Sequence, residues 1–523
     1  MLSKDRLNSY IEAYKKICGL PNPYVTYGIL NKLEGVAFKV RKNEFGKLFS
    51  ESSLPALDAY LKQIMLRSNR SVINPQIMLW ASDSTKNKLK IPYPKEWRNF
   101  LLQEGIISSE IGSTIAFLYA QIRAWGRFFL MFRHHLLMSL HSYENLNGNY
   151  TVFSSVFLGA IPINERANQH STVIDWFAKG ERIPKNSNIV IQTRTVKEVT
   201  SWDKKILSPY ILPKLDWAGR LRYFAGAVRI FFLAFIFWMK GSWKAPYVAS
   251  SALDICYVDQ IKIIPRSFFF SNSDYAVRPF WSYEVEKNGS QVLLYFYSAN
   301  INCFYEGQTE DAPPPPGYIS MSWPRYLVID EAQKRFLQKT CKSTGAIEVV
   351  GSIDFSDSDD ILPEIPKRSL ALFDVSPFKY EHVASLALIA PYYNSDILTQ
   401  FLEDITECTK QLDINLVWKR KREIPDEVMS ENYMRIVSNV QNDPHVVFVP
   451  PGIAARRLLP KVKASLSIPF TSTAILAKEM GIESAFYDPT GNLKYLSGLS
   501  RNLPVLGSKD ILLHWLEGVF KND

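Results

Sequence analysis

Three hydroxyl side chains follow a short apolar run in the segment SLSIPFTSTAILAKEMG. The run predicts a strand that ends at Pro469, after which Thr471, Ser472 and Thr473 begin a helix. Hydroxyl groups and unpaired backbone N–H groups at a helix N-terminus bind phosphate, and the helix dipole favours its negative charge. We therefore predict that Pro469 and the three hydroxyl residues Thr471, Ser472 and Thr473 contact a phosphate group. An ordinary Ser/Thr helix cap is the alternative interpretation.

Four consecutive cations, Lys419, Arg420, Lys421 and Arg422, directly follow the apolar segment INLVW. If INLVW is a central parallel strand, the cations emerge at its carboxyl end, where doubly wound sheets bind their ligands. We predict that they bind an anion, with a solvated basic loop as the alternative. Asp488, in the turn YDPTG after a later strand, lies at the same predicted edge. A turn alone would also explain that sequence.

Two carboxylates and one imidazole are candidates for catalysis. Glu165 and His170 lie in GAIPINERANQHS, which follows a predicted strand, and Asp374 ends the predicted strand LALFDV. A carboxylate at a strand end can deprotonate an acceptor hydroxyl or attack an electrophilic carbon. An ion-paired loop residue is the alternative for Glu165.

Regular strand–helix alternation from residue 366 onwards must position these groups. The apolar runs LALFDV, INLVW, HVVFV, ASLSIP and ESAFY alternate with helical segments. This alternation predicts a doubly wound parallel sheet whose strand ends meet at one edge. A final amphipathic helix, SKDILLHWLEGVF, carries Trp515 and Phe520, which we expect to pack back against the first domain.

The 523 residues are too many for one compact core. Residues 1–145 have mostly helical periodicity, whereas 146–365 carry apolar runs and turns typical of βα units. The segment FSDSDDILPEIPKRS, rich in acids, serines and prolines, marks a hinge between domains. We therefore predict a helical N-terminal region, α/β domains at 146–365 and 366–505, and a terminal helix at 506–523.

The net charge of +10 is concentrated in two places. Residues 203–244 carry a surplus of six and the cationic run 419–422 carries the other four, which indicates anionic partners. Nucleic acid is not favoured as that partner. The aromatic residues near 203–244 form one uninterrupted apolar run, whereas base stacking requires aromatics separated by polar groups.

The basic and aromatic residues around 220–244 are typical of an interfacial helix. On a helix the cations form a stripe, and the opposite face is apolar. We predict that this helix lies on an anionic membrane surface. The predicted contact residues are Arg222, Arg229, Phe232, Phe235, Trp238 and Lys240. A buried core helix and a membrane span are the alternatives, the span being costly because it would contain Arg229.

The remaining sequence excludes several kinds of site. The five cysteines are scattered without a CxxC pair, so neither a disulfide framework nor a zinc site is predicted. The GxxxxGK[ST] and GxGxxG patterns are absent, which argues against a P-loop and a nicotinamide site. The N-terminal segment has no apolar stretch typical of a signal peptide. We expect a cytoplasmic protein bound peripherally to the inner face of the cell membrane.

The order of these features resembles the donor domain of GT-B glycosyltransferases. The strand end WKRKR, the strand HVVFVPP, the turn SIPFTST and the strand end FYDPTG follow one another between about 370 and 500. The pattern is similar in particular to bacterial transferases that use CMP-activated Kdo or sialic acid. The resemblance implies an α/β, GT-B-like fold of two Rossmann-type doubly wound domains facing across a cleft, with a helical N-terminal region. It also implies that Ser472 and Thr473 grip the CMP phosphate.

The same resemblance implies a nucleotide-sugar substrate and a lipid-linked or growing bacterial surface glycan as acceptor. It implies no metal and no other cofactor, because cations and helix N-termini neutralise the leaving phosphate. Many CMP-sugar transferases have a His-Pro pair where this chain has Lys419–Arg422, so UDP- and GDP-sugars stay open as donors. Two further classes also stay open: a nucleotide-sugar epimerase of the same fold, which needs no interfacial helix, and a non-catalytic membrane-associated assembly protein, which needs no phosphate site.

Overall fold

The computed structural model describes more than half of the chain, in segments that form two α/β domains. The described residues are 110–144, 146, 149–154, 188–193, 197–202, 205–240, 245–271, 278–296, 321–340, 345–352, 360–375, 377, 395–420, 431–493, 498 and 500–521.

The first domain is built on an eight-stranded sheet. Its strands are β1 (Tyr150–Ser154), β2 (Asn188–Gln192), β3 (Thr200–Trp202), β4 (Lys205–Ser208), β5 (Ser267–Phe270), β6 (Gln291–Phe296), β7 (Arg325–Val328) and β8 (Ala346–Val349). They lie in the order β3-β4-β2-β1-β5-β6-β7-β8, and each described pairing is parallel except that of β3 with β4. Strands β1, β5 and β6 are almost wholly buried, as expected of apolar runs covered on both faces.

Helices of the first domain gather on its sheet. They are α1 (Glu110–His141), α2 (Trp217–Met239), α3 (Ala245–Val258), α4 (Trp281–Lys287) and α5 (Glu331–Thr340). Helix α3 is buried along most of its length, and both α1 and α2 pack on it. Side chains of all three helices share one hydrophobic core with the sheet. Helix α1, in the predicted N-terminal region, therefore packs as part of the first domain, and residues 1–109 lie outside the described residues.

The described residues of the second domain form six strands, all parallel. They are β9 (Ser369–Phe373), β10 (Asn415–Lys419), β11 (Val446–Val449), β12 (Ala464–Ser467), β13 (Glu483–Tyr487) and β14 (Val505–Leu506). Their order is β11-β10-β9-β12-β13-β14. The helices are α6 (Ser395–Gln411), α7 (Glu431–Gln441), α8 (Ala455–Leu458), α9 (Ser472–Glu479) and α10 (Lys509–Phe520). Two doubly wound parallel α/β units confirm the predicted α/β, GT-B-like fold.

The terminal helix α10 packs inside the second domain, against α6 and β14. Its Phe520 is buried in that domain's core, and the Arg368 guanidinium lies 5.5 Å from the ring centroid. The expectation that this helix packs against the first domain is therefore wrong. The apolar face of α10 packs at the edge of the second sheet, next to β14. A short connection joins β14 to α10, and consecutive elements usually lie side by side.

An ion pair between described residues joins the two domains. Asp330, which follows β7, accepts a hydrogen bond from Arg501 Nε, and Arg501 precedes β14. The same carboxylate accepts a bond from Gln333 N at 2.8 Å in the first turn of α5. Arg501 has a φ of 54° and its carbonyl accepts a bond from Lys478 Nζ at 2.6 Å. Asp330 thus fixes the start of α5 and the loop before β14 with one side chain.

Candidate functional site at the topological switch point

The order of strands in the second domain creates a switch point between β9 and β12. The chain runs from β9 outward to β10 and β11, then crosses back to place β12 on the other side of β9. Phe373 at the end of β9 pairs with Ser467 at the end of β12. Ligands of doubly wound sheets bind outside the carboxyl ends of the strands at such a point. Asp374 and the segment after Ser467 emerge side by side there.

The segment 468–473, which we call the switch-point turn, links β12 to α9 in a strained conformation. Ile468 N donates to Phe373 O at 3.2 Å, so the turn begins as a continuation of the sheet. Phe470 has a φ of 63°, a region that costs a non-glycine residue about 1–3 kcal/mol. Its ring is fully buried, with its centroid 5.3 Å from that of Phe486. Burial of this ring holds the strained backbone, and the turn then delivers the chain directly into α9.

The hydroxyl groups of the switch-point turn divide into two kinds. Thr471 Oγ1 donates to Ile468 O at 3.1 Å, and Thr473 Oγ1 lies 3.1 Å from the buried Ser467 Oγ. Both threonines therefore hold the turn. Ser472 is exposed as the first residue of α9, and among the described residues its hydroxyl has no hydrogen-bond partner. The predicted helix start is confirmed, and Ser472 with the first N–H groups of α9 can receive an anion.

Asp374 lies next to this turn in a buried polar cluster. Its side chain is 4% exposed, and Oδ2 accepts a hydrogen bond from Tyr433 Oη at 3.0 Å. Burial raises the pKa of Tyr433 well above its usual value, and the charge of Asp374 raises it further, whereas Arg420 opposes the shift. Tyr433 therefore stays protonated at neutral pH and donates to the carboxylate. Arg420 follows β10 and is 8% exposed, so a cation lies close to this pair.

The cationic run is held by the protein at its first two positions. Lys419 is half-buried in β10, and its Nζ donates to Pro451 O at 3.1 Å. The Arg420 guanidinium lies 5.7 Å from the Trp418 ring centroid. Lys421 and Arg422 lie outside the described residues. The described half of the run is thus built into the strand end and its neighbouring loop.

Asp488 closes its own turn. Its Oδ1 accepts bonds from Thr490 N and Oγ1 at 3.0 and 2.7 Å, and its Oδ2 accepts one from Leu493 N at 3.0 Å. The residue is buried at the carboxyl end of β13. These bonds match the turn that the sequence offered as the alternative to phosphate binding. Pro469 lies inside the switch-point turn, whereas Glu165 and His170 lie outside the described residues.

The predicted membrane helix is exposed along one side. Arg222, Arg229, Phe232, Phe235 and Lys240 are exposed on α2 or at its C-terminus. Trp238 is half-buried, and its Nε1 donates to Gln121 Oε1 on α1 at 3.1 Å. Helix α2 is long and apolar enough to span a membrane, with a mean hydropathy of 1.6 over its best window, a criterion that core helices and signal sequences also meet.

Nothing in the sequence marked two features of the switch point. Tyr433 lies on α7, more than fifty residues from Asp374, and only the fold brings them together. The positive φ of Phe470 has no glycine or asparagine to signal it. In the part of the chain that the structure describes, no three His, Cys, Asp or Glu side chains gather as a metal site. This finding covers the described residues alone, and the absence of a metal stays a prediction.

Comparison with known proteins identifies one family. The model of the family described as polysaccharide biosynthesis PFTS motif protein matches residues 231–516. The letters of that motif occur within the matched range as Pro469, Phe470, Thr471 and Ser472, in the switch-point turn. No curated protein matches the chain.

Three solved structures illustrate the likeness of fold. Sucrose-phosphate synthase from Thermosynechococcus elongatus has a TM-score of 0.39 and 10% identity, covering 72% of this chain and 90% of its own. The Methanocaldococcus jannaschii UDP-GlcNAc 2-epimerase in complex with UDP-GlcNAc and UDP has a TM-score of 0.34 and 9% identity, covering 72% of this chain and 93% of its own. The glycotransferase of kitacinnamycin has a TM-score of 0.32 and 12% identity, covering 73% of this chain and 95% of its own. At these TM-scores and identities the likeness carries no activity over to this chain.

Proposed function

Since the chain belongs to the polysaccharide biosynthesis PFTS motif family, whose model covers more than half of it, we propose that it is a glycosyltransferase of polysaccharide biosynthesis. It would move a sugar from a nucleotide-activated donor to a growing or lipid-linked glycan. One observation carries the proposal. Pro469–Ser472, whose letters match the motif named in the family's description, form the strand-to-helix turn at the topological switch point of a doubly wound sheet, where nucleotides bind in this class of fold.

The donor phosphate is proposed to lie at the N-terminus of α9. The Ser472 hydroxyl and the first N–H groups of this helix would donate to phosphate oxygens, with the helix dipole favouring the charge. Thr471 and Thr473 would keep the turn in shape through their bonds to Ile468 O and Ser467 Oγ. Arg420 and its two following cations would face the same negative charge.

The reaction needs a group that accepts a proton. The bond between the anomeric carbon and the donor phosphate oxygen breaks, and its electron pair leaves on the phosphate. The acceptor oxygen bonds to the same carbon and its proton passes to a base. We propose Asp374, Glu165 and His170 as candidates for the base or nucleophile. Asp374 lies beside the switch-point turn, and its Oδ2 accepts a hydrogen bond from Tyr433 Oη.

CMP-activated sugars are the proposed donors, and UDP- and GDP-sugars are the alternatives. The hydroxyl-rich turn that resembles CMP-sugar transferases supports the first choice. We propose that no metal takes part, because the helix N-terminus and the cations neutralise the leaving phosphate.

Calorimetric titration of the full chain with CMP, UDP and GDP tests the donor site. One nucleotide should bind, and Ser472→Ala should weaken it about tenfold, the worth of one hydrogen bond to a charged group. Ser438→Ala, which removes an exposed hydroxyl from the middle of α7, is the matched control and should bind normally. Binding of none of the three, or equal binding by wild type and Ser472→Ala, would reject the site. Incubation with the nucleotide-sugar of the nucleotide that binds, without an acceptor, tests the alternative: formation of the epimerised nucleotide-sugar would indicate an epimerase instead.

A further inference from the structure

Exposed apolar side chains concentrate on two neighbouring helices. Of the 17 large apolar residues that are exposed in the described part of the chain, 13 lie on α1 and α2. They are Ile122, Phe129, Leu130, Leu137, Leu140, Trp217, Leu221, Phe224, Val228, Phe232, Phe235, Ile236 and Met239. Exposed apolar groups are normally scattered over a protein, so this concentration marks an interaction surface. We call it the α1–α2 face.

The two exposed rows form one continuous surface because aromatic contacts join the helices. The ring centroids of Trp125 on α1 and Phe231 on α2 are 5.6 Å apart. Phe129 and Phe231 are 5.9 Å apart, and Phe231 and Phe232 are 5.5 Å apart, which links the two rows directly. These contacts fix the α1–α2 face as one unit.

The other side of α2 is committed to the domain core. Its buried residues recur every three or four positions, at Gly219, Tyr223, Ala227, Ile230 and Ala234. Tyr223 Oη also lies 3.0 Å from the buried His135 Nδ1 of α1. A helix held on one side by the core and exposed on the other is suited to lie along a surface. Spanning a bilayer would require it to leave that core and carry Arg222 and Arg229 into the lipid.

The charge of this face has a single sign. Residues 111–141 and 217–240 contain no Asp or Glu. They contain seven cations, Arg123, Arg127, Arg133, Arg220, Arg222, Arg229 and Lys240, of which all but Arg127 and Arg220 are exposed. Of the acids at the margins, Glu110 is the first residue of α1, Asp216 pairs with Lys262 at 2.7 Å, and Glu144 pairs with Lys214. A covering surface must therefore be apolar and negatively charged.

We propose that the α1–α2 face docks on an anionic lipid bilayer, with both helices lying in the plane of the interface. The apolar side chains would enter the boundary between head groups and acyl chains, and the flanking cations would meet the head-group charge. The face extends the contact predicted from α2 alone by the whole exposed side of α1. This docking does not depend on the proposed transferase activity.

Flotation of the full chain with vesicles tests the proposal. The chain should float with vesicles of phosphatidylcholine mixed with an equal amount of phosphatidylglycerol, and much less with phosphatidylcholine alone. Arg222→Glu and Arg229→Glu should each weaken binding to the anionic vesicles about tenfold. Phe232→Glu should weaken this binding as well, because it removes apolar area that would be buried in the membrane. Arg435→Glu on α7 and Ile511→Glu on α10, exposed outside the face, should bind as the wild type does.

Further measurements separate the rival occupants. All five variants should keep the wild-type thermal melt, because the substituted side chains are exposed. If the chain floats with neither kind of vesicle, and the wild type is a dimer whereas Phe232→Glu is a monomer, a second copy of the chain covers the face. A monomer that ignores vesicles, with Phe232 and Met239 protected from carbene footprinting, would place residues 1–109 there. Retention in the membrane through high-salt and carbonate washes would mean that α2 spans it. Each of these results overturns the proposal, and none depends on nucleotide binding.

Discussion

Tyr433 Oη donates a hydrogen bond to Asp374 Oδ2 at 3.0 Å, which joins helix α7 to the carboxyl end of β9. Because burial raises the pKa of Tyr433 well above its usual value, the phenol is protonated at neutral pH and remains a donor to the carboxylate. The orientation of Asp374 beside the switch-point turn thus depends on α7, the helix that follows β10 in the chain.

Removal of this donor should destabilise the protein. Tyr433→Phe should lower the free energy of unfolding by about 1–3 kcal/mol, because a buried carboxylate oxygen loses its bond. Denaturant unfolding followed by circular dichroism measures the change. In a double-mutant cycle with Asp374→Asn, the two substitutions should couple by at least about 0.5 kcal/mol. Strict additivity would mean that the bond contributes nothing.

Two hydroxyl groups one residue apart should behave differently. Thr473→Val should cost about 1–2 kcal/mol of stability, because it leaves the buried Ser467 hydroxyl without its partner. Ser472→Ala should leave the melting temperature unchanged, since that side chain is exposed. Thermal melts of the two variants, run beside wild type, make the comparison. Equal destabilisation by both would contradict the division between a structural and a binding hydroxyl.

The ion pair between Asp330 and Arg501 should couple the unfolding of the two domains. Asp330→Asn should cost about 1–3 kcal/mol, between the values for exposed and buried pairs, and should separate the calorimetric transitions of the domains. Glu331→Gln is the matched control, because Glu331 forms an exposed pair with Lys334 at 3.1 Å in the same helix. If both variants unfold alike, the interdomain pair has no special role.

Two thiols of the described residues, the buried Cys408 and the half-buried Cys256, should resist alkylation. Burial raises the pKa of both Cys256 and Cys408 to about 11, above the ordinary 9.0, so the folded protein holds these protons when the unfolded chain has lost them. Their contribution to stability is fully present below the ordinary value, falls as the pH rises above it, and is lost once the pH passes about 11. Site-resolved mass spectrometry should find native labelling by iodoacetamide near its midpoint at about 11. Labelling of native protein at the midpoint seen in guanidinium chloride would refute the shift.

Close packing of α2 on α3 gives a further prediction. A Cβ added at Gly226 would collide with Cys256 Sγ. Gly226→Ala should therefore destabilise the protein by about 1–3 kcal/mol, the usual cost of overpacking. The double variant Gly226→Ala with Cys256→Ala should recover part of this loss, as measured by denaturant unfolding. A single variant as stable as wild type would mean that the helices separate freely.

Sequence patterns predicted the second domain well, because each of its long parallel strands is an apolar run with buried faces. LALFDV became β9 and ESAFY became β13, and the start of α9 at Ser472 was found from its hydroxyl run. The strands β3, β4, β5, β8 and β14 were not predicted, since runs of two to four residues carry too little periodicity. Pairing between distant elements, such as Tyr433 with Asp374, has no signal in a single sequence.

The predicted geometry of α2 also needed correction. The sequence suggested a basic stripe opposite an aromatic face. In the structure the exposed apolar residues, such as Phe232, lie beside Arg222 and Arg229 on the same solvent side, whereas Phe231 and Trp238 turn toward α1. A helical wheel cannot identify which aromatic residues a neighbouring helix will cover. That information resides in α1, whose aromatic rows contact α2.

The pairing of β9 with β12 has a consequence for biosynthesis of the protein itself. Phe373 and Ser467 are neighbours in the sheet but are separated by more than ninety residues of chain, which include two other strands and their helices. Contacts of such long range form late, because the intervening loop must be closed first. A chain emerging from the ribosome therefore carries Asp374 well before the turn that completes its surroundings. The proposed nucleotide site would be incomplete on any nascent chain that ends before the switch-point turn.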